Sequence, residues 1–95
     1  MNGKEKEKII ITVVGKDTVG IIAKVCTYLA EHGINILDIS QTIVQEYFNM
    51  MMIADLTGKA ESFSSVQKDL TAIGEEIGVN IKCQKAEIFE MMHRV

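Results

Sequence analysis

At 95 residues the chain has room for one domain and not for two. Its formal net charge of −3 and pI near 5.3 give no attraction to the phosphates of nucleic acid or to an anionic membrane, so neither is expected as a direct partner. No apolar run approaches the ~20 residues that cross a bilayer. The two cysteines, Cys26 and Cys83, make no C-x-x-C pair. That argues against a redox motif and a compact zinc site and fits reduced, packed thiols in a cytoplasmic protein.

Residues 1–7 carry alternating charges without the apolar core of a secretory signal. They read as a flexible, solvated lead into a single domain over residues 8–95. Lys8 to Val14 is rich in Ile and Val, apolar at both parities, and predicts a central strand covered on both faces. From Val19 the pattern changes: Val19, Ile22, Cys26, Leu29 and Ala30 recur at three- and four-residue steps, the repeat of one helix face. Gly33 predicts the end of that helix, because it can take the left-handed conformation a helix terminus needs.

Ile34 to Gln45 and Phe48 to Leu56 return to β-rich residues, with Glu46-Tyr47 as the turn of a hairpin that lacks the favoured Asn-Gly pair. After a Thr57-Gly58-Lys59 turn, Phe63, Val66, Leu70, Ile73 and Ile77 keep helical spacing. Ser62 is the expected N-cap and Gly78 the stop. Val79 to Ala86 alternates Val79, Ile81 and Cys83 against Asn80, Lys82 and Gln84, a strand with one wet face at an edge. In the tail, Ile88, Met92 and Val95 would fall on one side of a short amphipathic turn.

The order βαββαβ predicts an α+β fold, the ferredoxin-like sandwich: a four-stranded antiparallel sheet with two helices on one face. Met50-Met51-Met52 must send methionines to both sides of that sheet. An apolar outer face of this kind marks an interaction surface, and a homodimer or higher even-numbered oligomer is the expected remedy.

Gly15-x4-Gly20 has the spacing of a phosphate loop, but Ile21-Ile22 stand where Lys and Ser or Thr are required. Two readings of this loop stay open. Backbone N–H groups at the helix start could hold a small anion such as a carboxylate, or the loop could merely turn the chain, with Asp17 or Thr18 capping the helix. Asn35 is a polar residue at the start of a strand, and its amide can both donate to a carboxylate and accept from an ammonium. His32 and His93 have no metal-ligand spacing, and no acid, base and nucleophile converge. Neither catalysis, a metal nor a cofactor is therefore expected.

Asp17-Thr18-Val19-Gly20-Ile21-Ile22-Ala23 and Gly33-Ile34-Asn35-Ile36 resemble the Asp-x-Pro-Gly-x-Leu-Ala and Gly-x-Asn-Ile motifs of the ACT domain, and the resemblance runs from Ile9 to Ile88. Ser40-Gln41-Thr42-Ile43, Phe48-Asn49-Met50-Met51-Met52 and the ending Glu87-Ile88-Phe89 to Met92-His93-Arg94 are similar to a bacterial and archaeal group of stand-alone ACT proteins. The resemblance implies a regulatory module with an effector site at a subunit interface, formed by Asp17, Thr18, Val19, Gly20 and Ile21 from the loop and by Asn35 and Ile36 from the strand. The effector it implies is an amino acid or similar small metabolite. Val19 stands where many amino-acid-binding members have Pro, which removes one fixed backbone angle from the loop. A Val there is similar to the ACT domains of the glycine-cleavage repressor protein and points to a regulatory protein partner. A ligand-free interaction module is the competing expectation.

Overall fold

The computed structural model describes residues 7–16, 20–57 and 62–87. Six elements follow one another: β1 (Lys8–Lys16), α1 (Ile21–Glu31), β2 (Asn35–Val44), β3 (Tyr47–Asp55), α2 (Phe63–Ile77) and β4 (Asn80–Lys85). The strands form one antiparallel sheet in the order β2-β3-β1-β4, which leaves β2 and β4 as the edges. This is the expected ferredoxin-like arrangement.

Strand alternation decides what the core contains. Ile9, Ile11 and Val13 of β1 and Phe48, Met50, Met52 and Ala54 of β3 face the helices and are buried. Met51 turns to the opposite side and is exposed. The outer face of β1 is covered only in part: Ile10 is buried, whereas Val14, four residues along the same face, is 46% exposed.

The helical face of α1 differs by one position from the predicted one. Ile21, Val25, Tyr28 and Leu29 are buried, while Ile22 and Ala30 face solvent and Cys26 is half-buried. Gly20 is the N-cap, so the helix begins at Ile21, and the apolar stripe turns with it. A contiguous Val19-x-Ile21-Ile22 run supports either phase, and sheet packing selects the one that buries Tyr28. Its hydroxyl then donates to Asp69 Oδ2 of α2 at 2.7 Å, and its ring lies 4.2 Å from that of His32. His32 is half-buried against this ring.

In α2 the predicted stripe holds. Val66 and Leu70 are buried, and Phe63, Ile73 and Ile77 pack half-buried on the core. Ser62 caps the helix, its hydroxyl oxygen accepting from Ser65 N–H at 3.2 Å, and Gly78 ends it at φ 80°. Gly33 likewise follows α1 at φ 66°. The hairpin turn is Gln45–Glu46, one residue earlier than predicted, with Gln45 at φ 58°. The tail from Ile88 and the residues Gly58 and Lys59 of the second turn lie outside the described residues.

Candidate functional site

Of the predicted site residues, Gly20, Ile21, Asn35 and Ile36 are described; Asp17, Thr18 and Val19 lie outside the described residues. Gly20 takes φ 93° and ψ 0° and opens α1 without a side-chain cap or an acidic residue in the first turn. The first intrahelical bond runs from Lys24 N–H to the Gly20 carbonyl at 2.9 Å. The amide N–H groups of Ile21, Ile22 and Ala23 therefore have no acceptor inside the helix, and the peptide dipoles add positive potential there. Ile21 itself is buried and anchors this first turn in the core.

Asn35 and Ile36 open β2 at the other end of α1. The register makes the separation explicit. Asn35 pairs with Asp55, which pairs with Lys8 at the start of β1, whereas the loop leaves β1 at Lys16, which pairs with Tyr47 beside Val44. Eight residue steps along a strand separate these two ends, roughly 27 Å at ~3.4 Å per residue. Among the described residues, Gly20 and Ile21 at the start of α1 and Asn35 and Ile36 beyond its end therefore do not meet within one chain. The sequence carried a signal for this: an 11-residue helix lies between them, and its two ends stand about 16 Å apart by helical rise alone.

The two edges of the sheet differ in a way that bears on how the halves could meet. β4 is six residues long and carries Lys82 and Lys85, and Gln67 Nε2 of α2 donates to the Cys83 carbonyl at 2.9 Å. Lysines and a side chain bonded to a strand carbonyl both oppose pairing at that edge. β2 has ten residues, no Lys, Arg or Pro, and Asp38 as its one charge. Leu37, Ile39, Ile43 and Val44 are exposed along it. A bulge between Ile36 and Asp38 lies at its Asn35 end.

Open space elsewhere does not coincide with the motif. A cleft of about 640 Å³ between α2 and β4 is lined by Gln67, Lys68, Thr71, Glu75 and Lys82 among others, and none of the predicted site residues borders it. Cys83 is buried, and burial alone pushes its thiol up to about 11, so it is a poor nucleophile at neutral pH. Among the described residues no group of three or more His, Cys, Asp or Glu is placed to hold a metal ion. No described helix is long and apolar enough to cross a membrane.

A small antiparallel sheet with two helices on one face, a glycine-bounded loop at the first helix and Gly-x-Asn-Ile at the second strand together define an ACT-type module. The ACT domain family model matches residues 7–84, and the chain belongs to that family. Its relatives are small proteins of similar length in bacteria and archaea. A UPF0237 protein of Bifidobacterium longum is 58% identical over 88 residues, 93% of this chain and 98% of that protein. One from Methanocaldococcus jannaschii is 41% identical over 93% of this chain and 98% of its own length. Among solved structures, an ACT domain protein from Streptococcus pneumoniae superposes with a TM-score of 0.78 at 44% identity, over 90% of this chain and 97% of that one. A glycine cleavage system transcriptional repressor shares the fold, with a TM-score of 0.75 at 22% identity over 86% of this chain and 47% of the other.

Proposed function

We propose that this chain is a non-catalytic regulatory module of the cytoplasm that binds an amino acid or similar small metabolite at the interface between two copies. One observation carries the reading. The loop residues Gly20 and Ile21 lie at one end of the sheet and Asn35 and Ile36 at the other, and the open edge strand β2 runs between those ends.

Antiparallel pairing of β2 with the β2 of a second copy brings opposite ends together. Residues directly opposite each other in such a pair must share a face. Centring the pair on Ser40 meets this condition: Ile39 faces Gln41, Asp38 faces Thr42 and, past the bulge, Ile36 faces Ile43 and Asn35 faces Val44. Asn35 of each chain then stands at the loop end of the other. A bound amino acid would place its carboxylate against the N–H groups of Ile21 to Ala23 of one chain. Asn35 of the partner subunit would hold its polar backbone atoms. The ligand stabilises the paired state by mass action, which is how its concentration reaches a regulatory protein partner.

The exposed Leu37, Ile39 and Ile43 also suit a second reading, a docking module that binds no metabolite. Calorimetry against free amino acids separates the two. Under the first reading one of them binds, Asn35→Ala weakens it by about 1–3 kcal/mol through loss of a buried polar partner, and Gly20→Val weakens it further. Asn80→Ala, on the far edge strand, leaves it unchanged. Absence of any amino-acid binding favours the docking module, and binding indifferent to both Asn35 and Gly20 places the site elsewhere.

A further inference from the structure

We infer that the ligand of the proposed interface site is an amino acid with a large apolar side chain, because the helix side of β2 beside the start of α1 is bare, apolar and uncharged. The inference rests on the β2-paired dimer proposed above and names the class of amino acid that its site selects.

The helix layer stops short of β2. On the side of the sheet that carries the helices, Ile43 pairs with Phe48, Gln41 with Met50 and Ile39 with Met52. The three β3 partners are buried, yet Ile39 and Ile43 are 44% and 53% exposed, and Gln41 is exposed with them. The cover therefore ends between two adjacent strands. α2 does not extend it, since α2 packs at the far edge, where Gly74 lies against Val79 and Ile81 and Gln67 bonds the Cys83 carbonyl. α1 turns one flank to α2 through the Lys24–Glu76 ion pair and the bond from the Tyr28 hydroxyl to Asp69. At about 100° per residue, Ile22 and Cys26 fall on the opposite flank, toward β2. Ile22 is 37% exposed there.

Pairing β2 with the β2 of a second copy does not remove this bare strip. It adds a strand at the edge of the sheet, and that strand is equally uncovered on its helix side. At each end of the pair, Ile43 of one chain stands opposite Ile36 of the partner subunit, next to the turn of α1 that carries Ile22 and the free N–H groups. A carboxylate held by those N–H groups leaves the ligand's side chain to lie over Ile43 with Ile22 beside it. Ile36, Ile39, Gln41 and Ile43 of the strand and Ile22 and Cys26 of the helix flank include no charge. A charged side chain would lose its hydration there without gaining a counter-ion, whereas an apolar one buries its own surface and that of the isoleucines.

Calorimetry on the full chain with the twenty standard amino acids tests this. Leucine should bind about fifty-fold more tightly than alanine, at roughly four-fold per buried methylene, and aspartate and lysine should bind more weakly than alanine. Ile43→Ser should cut the leucine-to-alanine ratio by about four-fold or more. Ile22→Ser should do the same, and it lies off the paired strands, so it reads the pocket even where Ile43→Ser weakens the dimer. Asn35→Ala should weaken leucine and alanine alike and leave their ratio unchanged. Tightest binding of a charged or small polar amino acid that still depends on Asn35 and Gly20 overturns the inference and spares the interface site. A leucine preference that both serine substitutions leave intact also overturns it. Failure of all twenty to bind overturns the inference together with the amino-acid site.

Discussion

Gly20 and Gly74 are constrained for opposite reasons. A Cβ on Gly20 would meet nothing within 4 Å, so a side chain there is opposed by the backbone at φ 93° alone. A Cβ on Gly74 would stand 2.8 Å from the Val79 carbonyl oxygen and 3.0 Å from Ile81 Cγ1, because α2 and the start of β4 approach backbone to backbone. Gly74→Ala should therefore destabilise the fold by about 1–3 kcal/mol in urea unfolding; an unchanged midpoint would mean that the two segments are not held this closely. Cys83 makes a second prediction at this scale. With its thiol pushed up to about 11 by burial, it should resist alkylation at pH 8 until the protein is unfolded, and rapid labelling of both cysteines in the folded state would contradict that. The sequence made Gly33 and Gly78 legible as helix stops because each ends an apolar repeat. Gly74 was not legible, since its need arises from a strand that returns to it through tertiary packing.

At the scale of elements, periodicity was read correctly wherever it was unambiguous. The α2 stripe and the alternation of β4 each admit one phase, and both appear as predicted. In α1 a run of adjacent apolar residues admits two, and packing on the sheet chose the one that buries Ile21 and Val25. The hairpin turn shifted by one residue because neither Gln45-Glu46 nor Glu46-Tyr47 supplies a glycine, and register was fixed by the pairing of Phe48, Met50 and Met52 into the core. Gln45 consequently holds φ 58° with a side chain in place. Gln45→Gly should relieve this and raise stability by roughly 0.5–1 kcal/mol, read as a higher thermal midpoint. A clear loss of stability would indicate that the Gln45 side chain supports the turn.

The whole molecule separates what the motif joins. Read along the sequence, Gly20 and Asn35 look like neighbours in one site; in the fold they cap opposite ends of a sheet roughly 27 Å long. In the proposed dimer a second copy, paired along the lysine-free edge β2, brings them together, and that is the central claim. It is tested most directly by mixing two variants that each weaken binding, Gly20→Val and Asn35→Ala, after denaturing and refolding them together. If each site takes its loop from one chain and Asn35 from the other, a mixed pair contains one doubly damaged site and one intact site. Random pairing then restores about one quarter of the wild-type sites at wild-type affinity in calorimetry. A mixture that binds no better than the two variants refolded separately would contradict the account, because both halves of the site would then belong to the same chain.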